Sequence, residues 1–459
     1  MKDFEIFDLN NLSVRTKNII FCTFSTLILF LGFWTNSPLY LSENGVYNFD
    51  STSNNIMISD LMYRQNFGVN GLFLKSITYQ QLISEYKDLG SPKDIVLNMF
   101  NNNQTFPKEE FIPYTSNITM HRYVYAFFDN ILPVSNKTLI NLFEIINCLL
   151  MAIVITILLL WIKSKTNFIV SYIMAFILAL FSPLFTMYPK NLYWVSWTLF
   201  LPITLTILLI STRLFNKISE NKKCVYLLIL SFVACFIKQL IYFEFVTTVM
   251  ISMMVPIVYY ILERKTSFKS GVKLFAFPVI GALISFISAN LIKFFMLSAE
   301  FGGSTKALDI IITNFNARVT GNNVSEDLIS SSKASFTQVI WDMNFKTAFS
   351  INSVLFISQF MIVLCIFGLT VIQIFQFLKN REAFIKINPT PLLASVWISL
   401  SAPLSWFILA KPHTFVHDLH CSITWFIPFT ILGTAYILNY FTQLIKLQFE
   451  RKECKNELP

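Results

Sequence analysis

Apolar residues along this chain run for about the thickness of a hydrocarbon layer, stop at short polar breaks, and start again. Measured against the ~20 residues that a helix needs to cross a bilayer, ten segments qualify: 19–39, 139–162, 167–186, 193–212, 224–241, 243–262, 274–297, 350–378, 390–409 and 424–445. Lys238, Gln239 and Glu244 interrupt an apolar stretch too long for one span, which predicts a tight hairpin near Tyr242. Two polar stretches are long, 40–138 and 298–349. In the first, Met57, Ile58, Leu61 and Met62 form one stripe across 53–63, and Leu82, Ile83 and Tyr86 repeat it across 79–89, the pattern of helices lying in a membrane interface. The expected fold is an all-α polytopic membrane protein of about 10 transmembrane helices with a long helical first external loop.

Composition strengthens this picture. Hydrophobic residues make up 54% and charged residues 13% of 459, and the mean hydropathy is +0.59; a soluble domain carries about 25% charged residues. The net charge of +9 resolves by side. The connections at 1–18, 163–166, 213–223, 263–273, 379–389 and 446–459 hold 20 of the 35 Lys and Arg, which places them and both termini in the cytoplasm. The basic excess is thus a topology signal, and no nucleic-acid partner is expected. The first segment is too long, and lacks the small-residue cleavage site, to be a removed leader, so it reads as a signal anchor. The division is a cytoplasmic N-terminus (1–18), a first span (19–39), a large external loop (40–138), spans two to seven (139–297), a second external loop (298–349), spans eight to ten (350–445) and a cytoplasmic tail (446–459). Seven scattered Cys suggest neither a disulfide framework nor a zinc site, and no P-loop, GxSxG or dinucleotide fingerprint occurs.

Ionisable groups in or beside spans are functional candidates by default. Past the first span stand Glu43, Asp50 and Asp60, any of which could be the base that activates an acceptor hydroxyl, help to hold a metal, or be solvated surface or a helix cap. Between the last two spans, Lys411-Pro412-His413-Thr414-Phe415-Val416-His417-Asp418-Leu419-His420 holds three of the four His. On one helix His413, His417 and His420 would share a face, where they could bind a phosphate with Lys411, hold a divalent metal with Asp418, or sit as interfacial groups beside an aromatic belt of Trp406, Phe407, Trp425 and Phe426. In Tyr188-Pro189-Lys190-Asn191-Leu192-Tyr193-Trp194, Lys190 is a candidate phosphate contact and the aromatics read as interfacial anchors. Lys238 and Glu244 are expected to pair. His121 and Arg122 offer another phosphate contact or a solvated loop, while Arg318, Glu326, Asp327 and Asp342 show no spacing of a known site.

The ten or so spans, the long loop with acids after the first, and the turns YPKNLYW and AKPHTFVHDLH followed by TWFIPF resemble the GT-C class of integral-membrane glycosyltransferases, within it the bacterial enzymes that modify O-antigen, such as serotype-converting glucosyltransferases. The paired acids usual in the first loop of that class are missing here, where Asp50 stands alone. The resemblance implies a bacterial inner-membrane enzyme of lipopolysaccharide or related polysaccharide, with a polyprenyl-phosphate-linked sugar donor and a polysaccharide or lipid-linked acceptor. It implies Asp50, or next Asp60, as base, with Lys190, Lys411 and the clustered His near the lipid phosphate, and the first loop shaping the acceptor cleft. No cofactor is certain, and a divalent metal is possible. A polysaccharide polymerase is the competing reading, although the external loops hold only Arg64, Arg122 and Arg318. A transporter or flippase would place its charges at mid-membrane depth instead.

Overall fold

The computed structural model describes residues 13–36, 50–68, 71–86, 94–321, 335–350, 355–379 and 390–456. Glu43, Glu326 and Asp327 lie outside them. The chain enters as α1 (Val14–Thr35), capped by the Ser13 hydroxyl, which accepts the Thr16 N–H. The first long loop folds as α2 (Ser51–Phe67), β1 (Leu74–Ser76), α3 (Tyr79–Ser84), α4 (Ile95–Asn101), β2 (Ile112–Tyr114) and α5 (His121–Ile131). The stripe expected on α2 is present, but it packs inside the protein: Met57, Ile58, Leu61 and Met62 are all buried. The second expected helix is shorter, opened by a reciprocal capping box of Thr78 and Gln81.

The apolar body follows as α6 (Asn136–Lys165), α7 (Phe168–Leu180), α8 (Pro183–Thr186), α9 (Trp197–Ser211), α10 (Arg213–Lys217), α11 (Glu220–Ile241), α12 (Val246–Glu263) and α13 (Phe268–Phe301). The hairpin expected near Tyr242 is the short break between α11 and α12. The second long loop supplies α14 (Ser304–Val319) and α15 (Phe336–Asn344). The hairpin of β3 (Thr347–Ser350) and β4 (Phe356–Ser358) then leads into α16 (Gln359–Lys379), so the eighth apolar helix starts later than its hydropathy suggests. Last come α17 (Thr390–Leu409), α18 (Lys411–Val416), α19 (Asp418–Cys421), a 3₁₀ turn (Ser422–Phe426) and α20 (Phe429–Asn456). Among the described residues the sheets are two antiparallel pairs: Leu74 opposite Tyr114 and Ser76 opposite Ile112, then Thr347 opposite Ser358 and Ser350 opposite Phe356.

This is an all-helical polytopic membrane protein apart from those two small sheets. Among the described residues seven helices are long and apolar enough to span, and an eighth if the pair bent by 44° before α20 is one span. The other two expected spans correspond to α7 and α9, apolar but only 13 and 15 residues long. Small residues let the helices close up, as is usual in lipid. A Cβ on Gly281 of α13 would lie 2.3 Å from the Leu228 carbonyl of α11, and one on Gly32 of α1 would lie 2.5 Å from the Ala179 carbonyl of α7.

The connections gather at two ends. At one, Lys163 reaches Asn18, Lys165 pairs with Glu263, and Lys223 donates to Tyr260. At the other, the start of α2, the turn before α9, the break between α11 and α12, the end of α14 and the α18–α19 segment meet one another. The first end holds the basic connections; the second holds the cleft described next.

Candidate functional site

Asp50 is the N-cap of α2, where its Oδ1 accepts the Ser53 N–H at 3.1 Å. Its Oδ2 accepts the Trp194 indole N–H at 2.6 Å and meets His420 Nε2 at 2.9 Å. One oxygen thus serves the helix cap, and the other faces the indole and the imidazole. Burial alone pushes the Asp50 carboxyl up, but His420 and the N–H groups of Ser53 and Trp194 outweigh it and hold it at about 2. The 2.9 Å approach of His420 is an ion-pair contact and lacks the in-line geometry of a ring N–H hydrogen bond.

The clustered His do not share one helix. The chain breaks at His417, between α18 and α19, yet all three rings line the same cleft, with centroids 4.8 Å apart for His413 and His417 and 5.5 Å for His417 and His420. His413 Nδ1 lies 3.7 Å from Cys421 Sγ, and burial, then the neighbouring His417, push it well below its ordinary 6.5. The nitrogens of His413 and His420 thus serve separate partners and do not converge on a point. Among the described residues no three His, Cys, Asp or Glu side chains are placed to hold a metal ion; this donor set does not fit the divalent metal considered from sequence, and Asp418 pairs instead with Lys346.

The cleft also joins Glu244 to Arg318, whose spacing in the sequence gave no signal. Glu244 sits in the break between α11 and α12 and receives Arg318 Nη2 at 2.6 Å and Asn117 Nδ2 at 2.9 Å. Arg318 also donates to Ser116 Oγ at 2.7 Å. Burial pushes Glu244 up, but Arg318 and then His413 overcome it and hold it at about 2. The expected Lys238–Glu244 ion pair is not formed: Lys238 Nζ points back to the main-chain carbonyls of Tyr242, at 2.9 Å, and of Glu244. The carboxylate turns instead to a cation brought by α14.

Tyr193 and Trp194 were expected as lipid-interface anchors and are buried site residues. The Tyr193 hydroxyl accepts from Asn117 Nδ2 at 2.6 Å and shares a hydrogen bond with Tyr114, and the Trp194 ring stacks on Phe245 at 5.8 Å. Trp406, Phe407, Trp425 and Phe426, expected as a belt, are also buried. Three non-glycine residues in or beside the cleft take left-handed backbone: Asp50 (φ 46°), Val195 (φ 40°) and Phe245 (φ 61°). Asp tolerates that region, whereas a β-branched Val or a Phe is strained there by about 1–3 kcal/mol. Packing that holds such strain fixes the position of the side chains beside it.

The remaining sequence candidates lie away from the cleft. Asp60 is buried and spent on Arg64 Nε at 2.7 Å, Arg122 at 3.7 Å and the Lys75 N–H at 2.9 Å, tying α2 to β1 and α5. Arg122 is buried in that network, and its neighbour His121 is pushed down to about 3 by burial. Lys190 lies over the Trp34 ring at 4.6 Å. Lys411 precedes Pro412 of the cleft but does not line it. The cleft itself has a volume of about 440 Å³ and opens at the ends of the apolar helices. No protein family, curated protein or solved structure matches this chain.

Proposed function

We propose that the protein is a bacterial inner-membrane glycosyltransferase that moves a sugar from a polyprenyl-phosphate carrier to a cell-surface polysaccharide or lipid-linked glycan. One observation carries the reading: the Asp50 carboxylate, its side chain only 6% exposed, faces His420 at 2.9 Å in a cleft that also contains Arg318, His413 and His417. The cleft lies where apolar helices end, so a donor whose tail stays in lipid can present a charged head there. The external side is the side opposite the basic connections, which puts both termini in the cytoplasm.

In the transfer, the acceptor oxygen forms a bond to the anomeric carbon as the bond from that carbon to the phosphate oxygen breaks. The electron pair leaves on the phosphate, whose growing charge meets Arg318 and the imidazole N–H groups. The acceptor proton passes to the Asp50–His420 pair. Asp50 fixes the ring and stabilises the imidazolium, so its own low pKa is no obstacle, and the acceptor hydroxyl becomes acidic as the oxocarbenium-like carbon binds it.

The test is sugar analysis of the surface polysaccharide from cells carrying wild-type protein, Asp50→Asn, or none. Loss of one sugar substituent in both the Asp50→Asn and the gene-less cells is expected. Shortened chains of unchanged composition would make the protein a polymerase, and unchanged polysaccharide in every respect would point to transport.

A further inference from the structure

The end opposite the cleft has a charge arrangement of its own. The connections 213–223 and 263–273 hold eight Lys and Arg against two acids, Glu220 and Glu263. Both acids are engaged: Glu220 meets Lys273 at 3.8 Å and accepts from Ser270, and Glu263 meets Lys165 at 3.0 Å and accepts from Tyr259 at 3.2 Å. Two other cations are held by an aromatic pair, Phe215 of α10 and Tyr260 of α12, whose rings pack edge to face at 5.6 Å. Lys223 Nζ donates to the Tyr260 hydroxyl at 3.1 Å and lies 5.6 Å from the Phe215 ring. The Arg264 guanidinium lies 5.9 Å from the Tyr260 ring and donates to Asn216 Oδ1 at 3.4 Å. Among the described residues no carboxylate pairs with either.

We infer that Lys223 and Arg264 hold the phosphate of an anionic phospholipid. The two cations stand where apolar helices stop: Lys223 in the first turn of α11 and Arg264 directly after α12, both helices long and apolar enough to span. That is the depth of lipid phosphates. The same connections carry Leu214, 65% exposed, and Phe268, 89% exposed, side chains that suit the boundary between headgroups and acyl chains and not water. The rings already packed on Lys223 and Arg264 limit the side-chain freedom lost on binding. A zwitterionic lipid would bring its ammonium into an excess of six positive charges, eight less two, whereas a headgroup with net negative charge meets no such repulsion. A soluble acidic partner would have to push into the headgroup layer to reach Lys223, which is only partly exposed. The site lies at the other end of the molecule from the cleft, so it stands whether or not the protein transfers sugars.

The test counts bound lipid. Purified protein in detergent is titrated with dioleoylphosphatidylglycerol or dioleoylphosphatidylcholine, and the complexes are read by native mass spectrometry. The first phosphatidylglycerol should bind at least about tenfold more tightly than phosphatidylcholine, and Lys223→Gln and Arg264→Gln should each weaken it about fivefold. Arg264 is exposed, so its substitution spares the fold. Lys163→Gln, at the same end but bonded to Asn18, should leave the affinity unchanged, and millimolar glycerol 3-phosphate should not displace the lipid. Equal binding of the two lipids, or an affinity indifferent to Arg264→Gln, overturns the inference. An equal loss in Lys163→Gln would reduce the effect to diffuse charge, and displacement by glycerol 3-phosphate would make this a site for a soluble phosphate; either result also overturns it.

Discussion

Asp50 Oδ2 and His420 Nε2 meet at 2.9 Å, although one residue caps the first helix after α1 and the other stands just before α20. A carboxylate this close to an imidazole stabilises the proton that the ring takes up, so the pair should act as a unit. Asp50→Asn can keep the Ser53 cap but loses the charge facing His420 and turns an amide N–H toward the Trp194 N–H. We expect a loss of about 10²–10⁴-fold in transfer rate, the range for a positioned base, and His420→Ala should lose a similar factor, with the double variant no worse than either. Additive losses in single-turnover assays would show that the two residues act separately.

Arg318 and Glu244 predict a stability effect. Arg318→Ala leaves the buried Glu244 carboxylate without its cation, which costs about 3–5 kcal/mol for a pair of this kind. Replacing both together, Glu244→Gln with Arg318→Met, should recover most of that loss. Thermal unfolding in detergent measures it, and equal melting of wild type and Arg318→Ala would contradict the buried pair.

Acid should destabilise the fold in two stages. Folded His413 sits below its ordinary 6.5, so the unfolded chain binds the extra proton and stability falls as the pH drops below 6.5. Asp50 and Glu244 are held at about 2, below their ordinary 3.8 and 4.5, so their contribution is complete above pH 4.5 and disappears as the pH approaches 2. His121 and His417, also held below 6.5 by burial, share the first stage, so His413→Gln should make it shallower and leave the second. Melting temperatures between pH 8 and 3 check this, and an unaltered first stage in His413→Gln would assign it to another group.

Charges outside the cleft should matter less. Lys346 and Asp418 form a partly exposed pair, so Asp418→Asn should cost no more than about 1 kcal/mol and leave transfer intact. Lys190, over Trp34 and away from the cleft, should likewise leave the donor KM unchanged when replaced by Met. A raised donor KM in Lys190→Met would bring that turn back into phosphate binding.

The helices were legible because span length is set by the bilayer, and the α11–α12 break by three polar residues in one apolar run. Asp50 and the clustered His were legible because rare ionisable residues stood out against apolar surroundings. Arg318 was not: its meaning depends on α14 folding back over the break that holds Glu244, a contact between distant segments that no local spacing encodes. Tyr193 and Trp194 were misassigned for a related reason, since an aromatic beside a span looks the same whether it faces headgroups or a carboxylate. Asp60 and Arg122 had the right chemistry but found each other, inside the folded first loop.

The most direct measurement is transfer itself. Purified protein in nanodiscs is given a radiolabelled polyprenyl-phosphate sugar and surface polysaccharide from cells lacking the gene, and label is followed into the polysaccharide. Incorporation by wild type, none by Asp50→Asn, and normal folding of both are expected. Equal incorporation by the two would contradict the role given to Asp50, and label that stays wholly on the lipid with correctly folded wild-type protein and each candidate sugar would contradict the central claim.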